Sequence, residues 1–427
     1  MTGGEVNQAI EAIWRIESAH VIASLARIVG DVGLAEELAQ DAMVIALEEW
    51  PEAGIPPNPG GWLMSTAKHR AIDLLRRRAV YERKLREIGR RLDETVEPDL
   101  DAALDDHIGD DLLRLIFTTC HPVLSTEARV ALALRLLGGL ATAEIARAFL
   151  VSEPTITQRI TRAKRTLATK GVPFELPAPA ELPERLSSVL DIIYLIFNEG
   201  YSATAGDDWT RPDLCHEALR LGRVLAGLMP SEPEVHGLVA LMEIQASRLR
   251  ARRGPAGEPV LLHDQDRRLW DRLLIRRGLA ALERAEESGG QFGPYALQAG
   301  IAACHARAGS AADTDWERIA ALYTVLGHVA PSPVVELNRA VAVGMAFGPG
   351  EGLTIVDALI SGSGLEGYPH LAAVRGDLLA KLGRSSEARQ EFEQAASLTR
   401  NASERALFLG RAAQLAGSPQ QTRSTTP

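Results

Sequence analysis

The chain has 427 residues, 46% of them hydrophobic and 24% charged, with a formal net charge of −10. That length calls for two to four domains rather than one core, and the composition is that of a globular protein, not a disordered or fibrous one. No run of about 18 or more uncharged apolar residues appears, and the first residues lack a basic stretch followed by an apolar one, so the sequence predicts no membrane span or leader and a cytoplasmic location.

Apolar residues recur at three- and four-residue spacing along nearly the whole chain, and no alternating strand pattern stands out, so an all-α protein is expected. The first helices are predicted over Asn7 to Val29 and Leu34 to Trp50, with Gly30-Asp31 closing one and opening the next. The acids Glu36, Glu37, Asp41, Glu48 and Glu49 on the second helix are unsuited to DNA and suit a basic protein partner. From Pro51 to Gly61 the prolines and glycines exclude a regular helix, and their stiff, irregular backbone suits a pocket for an unstacked base. A long helix starts at Trp62, with Leu63, Ala67, Ile72, Leu74 and Leu75 expected inward and Lys68, Arg70, Arg76, Arg77 and Arg78 outward.

Charge then alternates. Arg70 to Arg91 holds Arg70, Arg76, Arg77, Arg78, Arg83, Lys84, Arg86, Arg90 and Arg91 against Asp73, Glu82 and Glu87, whereas Asp93 to Asp111 holds nine acids and no Lys or Arg. A second basic run lies between Arg159 and Lys170. Two cationic modules on an anionic tether predict two-point binding to a polyanion.

After the tether, short helices are predicted over Asp111 to Cys120, Thr126 to Leu137, Thr142 to Phe149 and Pro154 to Thr169. The last two form a helix-turn-helix: Ile145, Ala146 and Phe149 face inward, Leu150-Val151 makes the turn, and Ser152 caps a helix with Pro154 near its first turn. Ile156, Ile160 and Leu167 of that helix point inward, leaving Thr155, Thr157, Gln158, Arg159, Arg162 and Arg165 outward with no acid from Pro154 to Lys170, as suits a helix reading a major groove. Pro173 to Pro183 reads as a linker. Beyond it lie helix pairs, clearest in Pro369 to Leu398, where Gly376, Gly383, Ala388, Phe392 and Ala395 stand at tetratricopeptide spacings. A weaker copy ends near Pro331, another pair covers Val334 to Ile360, and Ser403 to Gly417 is expected to cap the array.

Cys120, Cys215 and Cys304 are too few and too scattered for a disulfide framework. Each precedes a histidine, but neighbours on a helix point about 100° apart, so buried small residues are expected rather than metal ligands. No nucleophile–base set, phosphate-cradling glycine loop or HExxH pair appears, so the sequence predicts no catalytic residues, metal or cofactor. Asn198-Glu-Gly-Tyr201 and His263-Asp-Gln-Asp-Arg267 with Trp270 gather polar and aromatic groups between helices.

The order AEELAQDAMVIALEEW, a short loop, GGWLMSTAKHRAIDLLRRR, an acidic linker and SEPTITQRITRAKRTL resembles the extracytoplasmic-function (ECF) sigma factors of bacterial RNA polymerase, over about residues 7 to 170. The trailing repeats are similar to the group with a long C-terminal tetratricopeptide-like extension. The resemblance implies a region 2 domain (1–91), an acidic linker (92–110), a region 4 helix-turn-helix domain (111–172), a proline-rich linker (173–183), a helical repeat domain (184–417) and a disordered tail (418–427). It implies that Glu37, Gln40 and Asp41 bind the β′ clamp of core polymerase, with the β flap as a second contact. The loop from Ala53 to Gly61, including Asn58, would hold a flipped −10 base, and Lys68, Arg70, Arg76 and Arg77 would contact the −10 strand, with Trp62 and Asp73 structural. Thr155, Thr157, Gln158, Arg159, Arg162 and Arg165 would bind the −35 element, the tether would thread the polymerase cleft, and the repeat domain would modulate activity through a protein or peptide partner. Pro154 and Thr157-Gln158 depart from the family's usual glycine and basic–serine pair, so its promoter preferences do not carry over. The residues alone also fit a ligand- or peptide-sensing helix-turn-helix regulator of an operator.

Overall fold

The computed structural model describes residues 3–88, 108–255, 257–362 and 365–416. These form eighteen α-helices, three short 3-10 turns and one pair of two-residue strands. The expected tether from Asp93 to residue 107, Arg90, Arg91 and the tail from 418 lie outside the described residues. Contacts divide the chain into two units, Met1–Ile193 and Tyr194–Pro427.

In the first unit, α1 (Gly3–Val29) ends where Gly30 donates to the Ala26 carbonyl at 2.9 Å, and α2 (Val32–Ala53) begins where Asp31 accepts from the Leu34 amide at 2.9 Å. A helix leaves its first amides unpaired, and the Asp31 carboxylate satisfies one of them. Both helices pack with α3 (Pro59–Ile88), burying Ile10, Trp14, Ile22, Leu25, Ala39, Trp50 and Leu63. The expected irregular stretch from Pro51 is shorter than its composition suggests. α2 runs through Pro51, and α3 starts at Pro59 because Asn58 accepts from the Gly61 amide at 3.0 Å, leaving 54–58 as the loop. On α3, Ala71 joins Leu63 and Ala67 in the core, whereas Ile72, Leu74 and Leu75 are only half-buried.

α4 (Ile108–Thr119), α5 (Thr126–Leu136), α6 (Thr142–Ala148) and α7 (Glu153–Thr169) follow. Asp111, expected at the end of the tether and the start of a helix, is a buried residue of α4, 1% exposed and paired with Arg27 at 2.9 Å and Arg114 at 2.8 Å. α8 (Leu182–Tyr201) starts within the proline-rich stretch, with Pro183 in its first turn. Arg185 donates to the Phe117 carbonyl at 2.8 Å and Ser188 to that of Cys120 at 2.8 Å, so the first unit continues to Ile193 and does not stop at the prolines.

The second unit holds α9 (Pro212–Leu228), α10 (Pro233–Ala246), α11 (Arg272–Glu287) and α12 (Pro294–Arg307), with α10 apolar and buried on all sides between α9, α11 and α12. Then α13 (Trp316–Val329), α14 (Pro333–Ala346), α15 (Pro349–Ser361), α16 (Pro369–Lys381), α17 (Ser385–Leu398) and α18 (Ala402–Ala416) each pack on the next, as stacked helix pairs do. Phe392 is 1% exposed among Ala372, Ala396 and Phe408. The all-α expectation holds, the exception being β1 (Ala205–Gly206), which pairs in parallel with β2 (Arg400–Asn401). Buried Asn401 donates to the Ala203 and Asp208 carbonyls at 3.0 and 2.9 Å, tying the segment after α8 to the one before α18. Cys120, Cys215 and Cys304 are buried, and burial pushes the thiols of Cys120 and Cys215 up to about 12.

Candidate nucleic-acid interface

α3 carries the first basic surface. Arg70, Arg76, Arg77 and Arg78 are exposed and Lys68 is half-buried. Arg70, Asp73, Leu74 and Arg77 recur at helical spacing and line a groove with Leu38 and Asp41 of α2. Arg70 and Asp41 meet there at 2.8 Å, with side chains 45% and 50% exposed. An ion pair so exposed is worth at most about 1 kcal/mol, so either partner can exchange it for another contact. Trp62 stacks edge-on against buried Trp50, ring centroids 5.2 Å apart, a structural role. Asn58 is exposed, but its side-chain oxygen is engaged in capping α3.

α2 turns two faces to its surroundings. Glu37, Asp41, Val44, Leu47 and Glu48 form an exposed strip at three- and four-residue spacing, acidic with apolar residues between. Gln40, at its margin, donates to Glu36 at 2.6 Å. Glu36 itself is 3% exposed and pairs with Arg135 of α5 at 2.7 Å and with Lys164 of α7. Glu36, expected with its neighbours to face a protein partner, is instead buried against Arg135 and Lys164, two residues that were not expected at a site. The available signal was a carboxylate on the apolar stripe Val32, Ala35, Ala39 and Ala42, a position that only a paired acid occupies.

The second basic surface is α7. Ile156, Ile160, Ala163 and Leu167 are buried, and Thr155, Gln158, Arg162 and Arg165 line one open groove with Thr157. The Thr157 hydroxyl donates back to the Glu153 carbonyl at 3.0 Å, and the Thr155 hydroxyl lies 2.8 Å from that of Ser152. Arg159 lies outside this groove and lines a second one, which Gln158 and Arg162 share. It is half-buried beside Val123, Ser125 and Glu127 at the start of α5, where backbone and Ser125 hydrogen bonds, with Arg159 adding its charge, hold the Glu127 carboxyl below its usual range. The turn before α7 rests on Leu150, a non-glycine residue at φ +51°. Ser152 caps α7 in extended backbone, its hydroxyl bonded to that of Thr155 rather than to an α7 amide.

The modules of α1–α3 and α4–α7 touch. Arg15 pairs with Glu144, and Gly139, at φ +64°, sits so close to α1 that an added Cβ would lie 3.3 Å from the Arg15 Cα and 2.9 Å from Ser18. Among the described residues no group of His, Cys, Asp or Glu is placed to hold a metal, and no helix is long and apolar enough to cross a membrane.

A basic helix over a capped loop, followed by a helix-turn-helix whose last helix presents polar and basic side chains with Glu153 as the one acid at its start, defines a bipartite DNA-binding protein. Comparison with known proteins agrees. Residues 16–80 match sigma-70 region 2, residues 114–167 match sigma-70 region 4, and residues 185–286 match a family of unknown function, DUF6596. An uncharacterised protein of Rhizobium meliloti (strain 1021) is 46% identical over 401 residues, 93% of each chain. The chain belongs to the ECF sigma factors with a C-terminal extension, which gives it a DNA-binding role in transcription initiation.

Proposed function

We propose that this protein binds core RNA polymerase through the exposed α2 strip and directs initiation at promoters whose −10 strand meets α3 and whose −35 duplex meets α7. The observation that carries the reading is the adjacency of two opposite surfaces: the acidic–apolar strip containing Glu37 and Asp41 borders the guanidinium row containing Arg70 and Arg77. One surface suits a basic protein and the other a polyanion. Glu37, Gln40 and Asp41 are the polymerase contacts, with the β′ clamp as their partner and the β flap as that of the α4–α7 module. Lys68, Arg70, Arg76 and Arg77 bind the −10 strand, and Asn58 borders the pocket for its flipped base. Thr155, Thr157, Gln158, Arg162 and Arg165 face the −35 groove, with Arg159 clamping a phosphate at its edge. The helical array of the second unit modulates this activity through a protein or peptide partner, and the protein works in the cytoplasm.

The test is multi-round transcription by core polymerase on a genomic fragment library, with and without the purified chain. Initiation at a defined set of sites only when the chain is present is the expected result. Tight binding to duplex DNA without polymerase, with no new initiation, overturns the reading in favour of an operator-binding regulator. A chain ending at Tyr201, which retains all of α8, is expected to lose activity, and unchanged activity removes the modulatory role.

A further inference from the structure

Three arginines of the second unit lie among aromatic rings, and none of them makes an ion pair with a carboxylate among the described residues. Aromatic rings and guanidiniums alternate along a row formed by Trp209, Arg252, Tyr201, Arg248, Trp270 and Arg267. Arg252 Cζ is 5.2 Å from the Trp209 ring and 3.9 Å from Tyr201, Arg248 Cζ is 5.8 Å from both Tyr201 and Trp270, and Arg267 Cζ is 4.6 Å from Trp270. The row assembles from distant segments: Tyr201 ends α8, Trp209 follows β1, Arg248 and Arg252 occupy the turn after α10, and Arg267 and Trp270 lie in the turn before α11. It joins two segments already notable in the sequence, Asn198–Tyr201 and His263–Trp270.

Arg248 is 7% exposed, its Nε has no partner, and it makes no ion pair among the described residues. Arg252 donates to the Tyr201 carbonyl at 3.0 Å, and Arg267 to the carbonyls of His305 and Ala308 at 2.5 and 2.7 Å. These are neutral acceptors. Asp313, whose charge favours the Arg267 cation, is hydrogen-bonded to the Ser310 amide and hydroxyl and makes no ion pair with that guanidinium. The indole Nε1 atoms of Trp209 and Trp270 and the side-chain oxygen of Gln265 are also buried without partners. Burial and the Arg248 charge hold the guanidiniums of Arg252 and Arg267 below their usual range, with Asp313 partly offsetting this at Arg267, so Arg248 acts on both of its neighbours in the row.

Cation–π contacts offset part of the cost of burying a guanidinium, but they leave its charge and its unused N–H donors in place. A buried cation with unpaired donors is a site short of its counter-ion. Tyr201, Arg252 and Arg267 are only half-buried, so the row opens outward, while Arg248, Trp270 and Gln265 form a buried floor. Planar guanidiniums bind oxyanions through paired N–H bonds.

We propose that Arg248, Arg252 and Arg267, framed by Tyr201, Trp209 and Trp270, bind a small molecule bearing a carboxylate or phosphate group. The site lies within the segment shared with the family of unknown function, residues 185–286. It stands apart from promoter recognition, because binding is read on the full chain without polymerase or DNA.

The test is thermal unfolding and titration calorimetry of the full chain with inorganic phosphate and with citrate, each against sodium chloride at matched ionic strength. A rise in Tm of about 5–10 °C at a hundredfold excess over Kd is expected for at least one oxyanion. Phosphate alone or citrate alone identifies the group that is recognised. Arg248→Met is expected to abolish the response, and Arg248→Lys, which keeps charge but loses the paired donors, to weaken affinity at least tenfold. No oxyanion-specific response in the natural chain overturns the proposal, since a purely structural ladder of rings and cations does not distinguish phosphate or citrate from chloride. An undiminished response in Arg248→Met overturns it equally. If that variant does not fold, unchanged affinity in Arg248→Lys does the same.

Discussion

Glu36 of α2 and Arg135 of α5 pair at 2.7 Å, joining the two modules that the proposed function sets on separate stretches of promoter. Lys164, on the helix assigned to the −35 element, pairs with the same Glu36 carboxylate on the helix assigned to polymerase. These pairs hold the two modules together, and if the proposed promoter contacts of α3 and α7 are to be made at separate elements, this clasp has to open. Arg27–Asp111 and Arg15–Glu144 reinforce it.

Weakening the clasp is expected to trade stability for binding. Glu36→Gln and Lys164→Met should each lower the stability of the first unit by about 1–3 kcal/mol in urea unfolding, since one end of the pair is buried and the other reaches water. Each 1.4 kcal/mol removed from the clasp should raise apparent affinity for core polymerase about tenfold, measured by fluorescence anisotropy. Unchanged affinity in both variants would mean that the clasp does not oppose binding. A loss in Glu36→Gln alone would make Glu36 a direct contact.

The α7 side chains should separate into two kinds of contact. Gln158→Ala is expected to cost about 1–3 kcal/mol on the preferred −35 sequence and to relax preference at one base pair. Arg159→Ala, set apart beside Glu127, should weaken all sequences alike and reduce the salt dependence by about one ion. Holoenzyme binding to a panel of −35 variants at several salt concentrations distinguishes these, and identical profiles for the two variants would contradict the assignment.

What was legible in the sequence was local. Gly30-Asp31, the inward Ile145, Ile156 and Ile160, and the Gly376–Phe392 spacing each express a relation within about one helix pair, which periodicity and capping chemistry report directly. What escaped it joins residues far apart in the chain. Arg135 reaches Glu36 across 99 positions and Asn401 reaches Ala203 across 198, and no local pattern encodes either. Asp111 was expected to open a helix, but its burial was hidden among acidic neighbours, because its partner Arg27 lies 84 positions away. Pro51 was overread as a breaker, since a proline in a helix's last turns forfeits one hydrogen bond and the packing of Trp50 sustains the helix past it.

Leu150 holds the turn of the helix-turn-helix at φ +51° while 54% exposed. A side chain in the left-handed region costs about 1–2 kcal/mol, and glycine's extra freedom when unfolded returns about half of that. Leu150→Gly should therefore stabilise the protein by about 0.5–1 kcal/mol and Leu150→Val should destabilise it, as read by urea midpoints. A destabilised glycine variant would show that the leucine side chain contributes more than its exposure indicates.

In the repeat array, Gly376 lets α16 and α17 close on each other, and an added Cβ would lie 3.2 Å from the Phe392 ring and 3.2 Å from the Ala388 carbonyl. Gly376→Ala should cost about 1–3 kcal/mol through overpacking and Phe392→Ala about 3–5 kcal/mol through the cavity it leaves. Because the two share one contact, the double variant should cost less than the sum. Additive losses in thermal unfolding would mean that the ring and the glycine do not restrain each other.

His305 gives the second unit a dependence on pH. Burial, then the Arg248 and Arg267 charges, push its imidazole from 6.5 down to about 4. The folded chain therefore binds this proton less readily than the unfolded chain. Its contribution to stability is full above about pH 6.5 and is lost progressively as pH falls toward 4, at up to about 1.4 kcal/mol per unit and about 3 kcal/mol in all. Urea unfolding between pH 7.5 and 4.5 should show this decline, and His305→Gln, which keeps a neutral polar side chain, should flatten it over that interval. An equal slope in the variant would place the acid sensitivity on carboxylates elsewhere. Saturating phosphate or citrate should also shallow the natural chain's slope, because an anion beside Arg248 and Arg267 lowers the repulsion that keeps His305 neutral.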